Sequence, residues 1–304
     1  MTSEVLLQKL DLSLVDAWVD IHSAFHGKYP WPKPIERSDV ISLINQPETE
    51  SLVASCNGNP FGIASLKVTD NPELLSISSF ASKGATRDMI DSMVTQLVAL
   101  AKDMGMKQLT MWTWDAESMV MEALLKRGFE ITVSDSLISK DLTEVRPMTS
   151  SDTAEIRSIS EGITVSQFVR SNREAFKDDP SRPLEEEELK EWLDEPKRFH
   201  SDCQLAALVG GNVVGTIMSE VLERPGRGGE EHEAWIYGLG VVEAFRRQGI
   251  ASLLMQNLEL RLKEYGVSKL WLFTDTEGGI RDFYDQAGFV QVANWVDLGL
   301  CISS

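Results

Sequence analysis

A chain of 304 residues with 42% hydrophobic and 25% charged side chains has the composition of a globular protein. That excludes a disordered or fibrous chain and, at ordinary domain size, leads to an expectation of two domains. The 29 Lys and Arg against 47 Asp and Glu give a net charge of −18. A surface this acidic repels phosphate backbones, so nucleic-acid binding is not expected and an amine-bearing partner suits it better. Cys56, Cys203 and Cys301 lie far apart and form no CxxC pair, which argues against a disulfide framework or a cysteine zinc site; no metal is expected. The first residues, MTSEVLLQKLDLSLVDAW, lack the basic start and apolar stretch of a signal peptide. No segment approaches ~18 uninterrupted apolar residues, so a cytoplasmic location without membrane attachment is expected.

Taken in chain order, helical stretches are expected at Leu14 to Phe25 and Val40 to Ile44, then a hairpin over 51–68. A strand from Leu74 to Phe80, a long amphipathic helix from Arg87 to Asp103 and a strand from Gln108 to Trp114 follow. A short helix and Gly128-Phe129 lead into a last strand. The polar stretch DLTEVRPMTSSD (141–152) is the candidate linker, dividing the chain into domains 1–143 and 144–304. The order then starts again. Helices are expected at Asp152 to Ser160 and Leu184 to Leu193, a hairpin at 204–221, a strand from Ala234 to Val242, and a helix from Ile250 to Tyr265. A strand from Lys269 to Thr274, a short helix and Gly288-Phe289 complete the second copy.

The recurrence is visible in the residues. SLVASCNGNPFGIASLKV (51–68) matches QLAALVGGNVVGTIMSEV (204–221) at six of 18 positions: Leu52/Leu205, Ala54/Ala207, Gly58/Gly211, Asn59/Asn212, Gly62/Gly215 and Val68/Val221. KDMGMKQLTMWT (102–113) matches KEYGVSKLWLFT (263–274), and EALLKRGF (122–129) matches DFYDQAGF (282–289). The offset changes from 153 to 161, placing about eight extra residues around ERPGRGGEEH (223–232) in the second copy.

The segment LGVVEAFRRQGIASLLMQNLELRL (239–262) carries the chemistry. A strand ends, a turn presents Arg246-Arg247-Gln248-Gly249-Ile250-Ala251, and a helix begins at once. Gly249 permits close approach, and a helix start offers unpaired N–H groups and the positive dipole end to a pyrophosphate. Arg246 or Arg247 can add charge-assisted contacts. The bland alternative is a strand–helix connection with a basic cap.

Arg-x-x-Gly-x-Ala after a strand ending Leu-Gly-Val resembles the acetyl-CoA loop of the GCN5-related N-acetyltransferases, the GNAT superfamily. Phe283-Tyr284-Asp285-Gln286-Ala287-Gly288-Phe289 is similar to that family's Phe-Tyr-x-x-x-Gly-Phe signature. Glu243 stands where the family often has proline. The resemblance covers about 145–304, and the repeat extends it to the first half. It implies an α/β (α+β) architecture of two tandem GNAT-like domains, each a mixed, mainly antiparallel sheet with helices on both faces.

The resemblance further implies an acetyl-CoA-dependent N-acetyltransferase acting on a primary amine of a small molecule or a peptide, without an acyl-enzyme. Backbone N–H groups of Arg247, Gln248, Gly249, Ile250, Ala251 and Ser252 would hold the pyrophosphate of acetyl-CoA. Backbone groups near Leu239 and Val241 would pair with the pantetheine arm, and Tyr284 would protonate the departing thiolate. Glu233 is the leading candidate base, with His232, Asp275 and Glu277 behind it. Carried back by 161, Arg246, Gly249 and Ala251 become Ala85, Asp88 and Ile90; carried back by 160, Tyr284 becomes Leu124. The first copy is therefore expected to keep the fold and lack the acetyl-CoA loop. A monomer or weak homodimer is expected. The rival readings are a non-catalytic acyl-CoA sensor and a transferase for another acyl group.

Other residues have plainer readings. His22 and His26 stand i, i+4 without a third ligand, Trp112 and Trp114 share one strand face as core residues, and Glu185 to Glu188 with Glu191, Asp194 and Glu195 form a solvated acidic helix. Recruitment of a cationic acceptor is the sharper reading of that helix.

Overall fold

Both repeat hairpins close through two successive left-handed residues, Asn57-Gly58 (φ +52° and +79°) and Gly210-Gly211 (φ +57° and +81°). That geometry matches the right-handed twist of the flanking strands and sets the register of each sheet. The computed structural model describes residues 4–27, 35–142, 153–178, 184–223, 232–276 and 279–302. Their packing divides the chain into two compact units: residues 1–136 with 293–304, and residues 137–292.

The first unit contains β1 (Val5–Lys9), α1 (Val15–His26), α2 (Arg37–Ile44), β2 (Thr49–Cys56), β3 (Asn59–Val68) and β4 (Leu74–Ser82). α3 (Arg87–Asp103), β5 (Gln108–Trp114), α4 (Ser118–Leu125) and the start of β6 (Glu130–Asp141) follow. The second unit takes the end of β6 and then β7 (Glu155–Ser158), α5 (Val165–Ala175), α6 (Glu186–Leu193), β8 (Leu205–Val209) and β9 (Asn212–Glu223). β10 (His232–Val241), α7 (Ile250–Glu264), β11 (Val267–Asp275), α8 (Gly279–Gln286) and the start of β12 (Val290–Cys301) complete it.

Strand order in the first unit is β1-β2-β3-β4-β5-β12, and in the second β7-β8-β9-β10-β11-β6. The last strand of each repeat thus completes the sheet of the other unit. β12 pairs antiparallel with β5 from Trp295↔Trp114 to Cys301↔Gln108, while Leu142 at the end of β6 donates its N–H to Ser268. The compact units therefore do not follow a linear cut at 143/144; the linker residues 143–152 lie outside the described residues, as does 224–231 in the loop with the extra residues.

β4–β5 and β10–β11 pair parallel, whereas β1–β2, β2–β3, β3–β4, β5–β12, β7–β8, β8–β9 and β9–β10 pair antiparallel. In the second unit, β9 feeds both faces. Ile217 and Val221 pack with Leu254, Leu258 and Leu262 of α7, whereas Met218 packs with Phe168 of α5 and Leu189 of α6. This alternation is the period of two that a sheet covered on both faces requires. In the first unit α3 buries Ile90, Met93, Val94, Leu97 and Ala101, and α1 buries Trp18, Ile21 and Phe25.

One expected helix is different. Glu155–Ser158 is an edge strand paired with Leu205–Leu208, followed by a short 3-10 turn, because Ile156 opposite Ala207 extends the sheet where an isolated stretch has only its own weak propensity.

Candidate active site

β10 is where the second sheet opens. Its parallel register with β11 ends at Trp235↔Trp271. Two residues farther on, Tyr237 is an extra residue between Ile236↔Ser219 and Gly238↔Met218, a bulge against β9. The strand then carries Leu239, Gly240 and Val241 to the turn that leads into α7. Gly240 is required there: a Cβ would stand 2.6 Å from the Phe176 ring and 2.9 Å from Ala175.

The turn is shaped by its backbone. Glu243–Phe245 form a 3-10 turn, Arg246 is extended, Arg247 is left-handed at φ +61°, and Gly249 at φ +80° is the N-cap of α7. A left-handed non-glycine residue is costly and concentrates at working sites. No side chain caps α7, and its first turn holds no acidic residue. The first N–H groups of the helix, which have no intrahelical partner, are thus left to whatever binds in front of them.

In front of them lies a cavity of about 540 Å³. Leu239, Val241, Arg246, Arg247, Gly249, Ile250, Ala251, Ser252 and Tyr284 all line it, together with Phe176, Gly240 and Phe283. The volume is that of a small-molecule site. Two of the candidates stand apart. Gln248 lies outside the lining and donates from its amide to Ala244 O at 3.3 Å. Glu233 sits at the far end of β10, between Leu222 and Lys269, six residues before Leu239. At ~3.3 Å per residue that is about 20 Å along the strand, too far for a base acting at this cavity. Asp275 is exposed, His232 is half-buried, and Glu277 is outside the described residues.

Arg246 holds the site together: its Nε donates to Val241 O and a terminal nitrogen to Ala175 O, each at 2.9 Å. Those bonds tie β10 and α5 to the turn, so two of its five donors serve positioning rather than a ligand. Tyr284 is 7% exposed, with Phe283 and Phe289 ring centroids at 5.1 and 5.5 Å, and it both joins the core and faces the cavity. Phe176 and Gly240 escaped sequence reasoning; the Gly-Leu-Gly of 238–240 was their one signal.

The matching place in the first unit is filled by its own side chains. Ser78 is the extra residue of β4 against β3, the counterpart of Tyr237. Trp112 donates from Nε1 to Ser78 O at 3.1 Å and stacks on Trp295 at 3.8 Å. Thr86 caps α3 by accepting from Met89 N, and Asp88 stands in the first turn. Trp114 is fully buried, in keeping with a core residue; His22 is buried with 6% of its surface exposed, and the His26 side chain is outside the described residues. Among the described residues no group of three or more His, Cys, Asp or Glu could hold a metal ion, and no helix is long and apolar enough to cross a membrane.

The open strand pair, the uncapped helix and the tyrosine can be set beside known proteins. The acetyltransferase (GNAT) family matches residues 169–289. Over that segment the chain is similar to a GNAT acetyltransferase domain. N-alpha-acetyltransferase 60 of Xenopus tropicalis is 32% identical over 112 residues, 31% of this chain, and the match spans 45% of that protein's length. A GCN5-related N-acetyltransferase from Sphaerobacter thermophilus superposes over 99% of this chain and 96% of its own, with TM-score 0.71 and 17% identity. A tandem GNAT protein from the clavulanic acid biosynthesis pathway, solved without AcCoA, covers 99% of both chains with TM-score 0.67 and 15% identity. GNAT folds therefore account for the whole chain, the first unit included.

Proposed function

We propose that the protein is an acetyl-CoA-dependent N-acetyltransferase whose second unit transfers an acetyl group directly to a primary amine of a small molecule or peptide. The observation that carries this reading is the uncapped start of α7, facing a cavity bounded by the open end of β10 and by Tyr284. The site suits acetyl-CoA on its own terms: left-handed Gly249 leaves open space where a Cβ would stand, and the free N–H groups of the first turn are donors for a pyrophosphate.

Backbone N–H groups of Gly249, Ile250, Ala251 and Ser252, with Arg247 and Gln248 before them, would hold the diphosphate. The open edge of β10 at Leu239 and Val241 would hydrogen-bond the pantetheine arm as an added strand. A backbone N–H there, aimed at the developing oxyanion, is worth about 3–4 kcal/mol. Tyr284 would give its phenol proton to the leaving thiolate. The first unit would bind no acetyl-CoA, since Thr86, Asp88 and Trp112 occupy the corresponding groups.

Release of the CoA thiol, followed with a thiol reagent in the presence of acetyl-CoA and an amine panel, tests the reading. The panel spans free-N-terminus peptides, suggested by the N-alpha-acetyltransferase relative, and polyamines, suggested by the net charge of −18. Amine-dependent release supports the proposal; binding of acetyl-CoA without release from any amine contradicts it.

A further inference from the structure

Glu220 is an acid inside an apolar strand. It lies on β9 with 1% of its surface exposed, on the face covered by α5 and α6. Burying a carboxylate is costly unless its oxygens are engaged. Here Arg198 Nε donates to Oε1 at 2.6 Å and the Tyr237 hydroxyl donates to Oε2 at 2.5 Å. Arg198 also bridges to Glu195 nearer the surface.

Tyr237 is the bulge residue of β10, and its side chain lies on the face of Glu220, as does that of Trp235 two residues earlier. Trp192 and Phe199 flank it with ring centroids at 5.3 and 6.1 Å. The residue is still 36% exposed, so the phenol joins a buried carboxylate to the surface. Leu239 and Gly240, which line the cavity, begin two residues later, about 7 Å along the strand. The matching positions of the first unit hold neither group. By the hairpin offset of 153 Glu220 corresponds to Lys67, and Tyr237 corresponds to Ser78.

We infer that Tyr237 and Glu220 form the proton-accepting route for the acceptor amine, with Tyr237 contacting the amine and Glu220 acting through it. The inference rests on the acetyltransferase reading above. The substrate ammonium passes one proton to Tyr237 Oη as the phenol proton passes to Glu220 Oε2, leaving a neutral amine and a protonated Glu220. The amine nitrogen then bonds to the thioester carbonyl carbon, the carbon–sulfur bond breaks, and the second N–H proton leaves on the CoA thiol. Glu220 returns its proton to solvent through Tyr237, so the net reaction releases one proton. Burial and the neighbouring carboxylate hold the Tyr237 phenol above its ordinary value, so at rest it keeps its proton and serves as a relay. Arg198 fixes the carboxylate so that Oε2 faces the phenol.

Tyr237→Phe and Glu220→Gln, assayed with acetyl-CoA and either spermidine or a free-N-terminus peptide, test this. Each variant is expected to bind acetyl-CoA by calorimetry within twofold of wild type, yet to lose about 100-fold in kcat at pH 7. The loss shrinks as pH rises past the amine's own pKa, near 8 for the peptide, because the amine then arrives already neutral. A Tyr237→Phe protein with kcat within threefold of wild type overturns the inference. So does a loss of equal size at every pH, which marks a structural role, or a loss of acetyl-CoA binding in both variants. Failure of the underlying reading looks different: wild type itself then binds no acetyl-CoA or releases no thiol with either amine, and both proposals fall.

Discussion

The exchange of last strands can be tested through one buried ion pair. Lys140 on β6 and Glu259 on α7 meet at 2.5 Å, with 17% and 3% of their side chains exposed. Lys140 precedes the linker, so this contact fastens a strand of the first repeat to α7, the helix capped by Gly249. At an effective dielectric of about 20 the attraction is about 7 kcal/mol, and desolvation of several kcal/mol per ion offsets most of it. The pair as a whole therefore stabilises little, while removing one partner strands the other charge. Glu259→Gln is expected to cost about 3–5 kcal/mol, and the double substitution of Lys140 and Glu259 to Met to restore most of that. At roughly 2–4 °C per kcal/mol for a unit of this size, the single variant should melt about 6–20 °C lower than wild type. Calorimetric melting of the three proteins measures this. A Glu259→Gln protein within 1 kcal/mol of wild type, or a double variant as unstable as the single one, refutes the reasoning.

Three further outcomes are expected. Gly249→Asp gives the second unit the residue that the first has at Asp88; the added Cβ meets no atom, so the left-handed backbone costs only about 1–2 kcal/mol. A carboxylate ~4 Å from a phosphate charge opposes binding by about 4 kcal/mol, so calorimetry should show about 1000-fold weaker acetyl-CoA binding with the fold retained. Burial pushes His22 down to about 4, so the folded chain excludes a proton that the unfolded chain takes up. Stability is complete above pH ~6.5 and falls by about 3 kcal/mol as pH drops to 4; His22→Leu should flatten that part of the melting-temperature profile. Of the three cysteines only Cys301 is exposed, and burial pushes the Cys203 thiol up. A thiol reagent should thus titrate one group rapidly in the native protein and three after denaturation.

Much of the architecture was legible because it depends on local pattern. Gly58 and Gly211 mark the hairpins, the apolar spacing of Ile250, Leu254 and Leu258 marks α7, and Arg246 to Ala251 mark the turn before it. What escaped depends on pairing across distance. Nothing in Ala293–Cys301 tells which sheet it joins, since a strand's own alternation is satisfied equally in either. Val5–Lys9 and Glu155–Ser158 are edge strands formed by their partners. α5 was missed because Val165–Ala175 is polar on most of its surface and buries only a narrow stripe. At the site, backbone groups could be anticipated from glycine and the helix start, whereas the base could not. Glu233 has the right chemistry at the wrong end of β10, and Glu220 shows itself only as one acid among the apolar residues of β9.

The central claim is that one unit of the two takes acetyl-CoA. Titration calorimetry of the wild-type chain with acetyl-CoA tests it most directly. One site per chain is expected; two equivalent sites, or none, would overturn it.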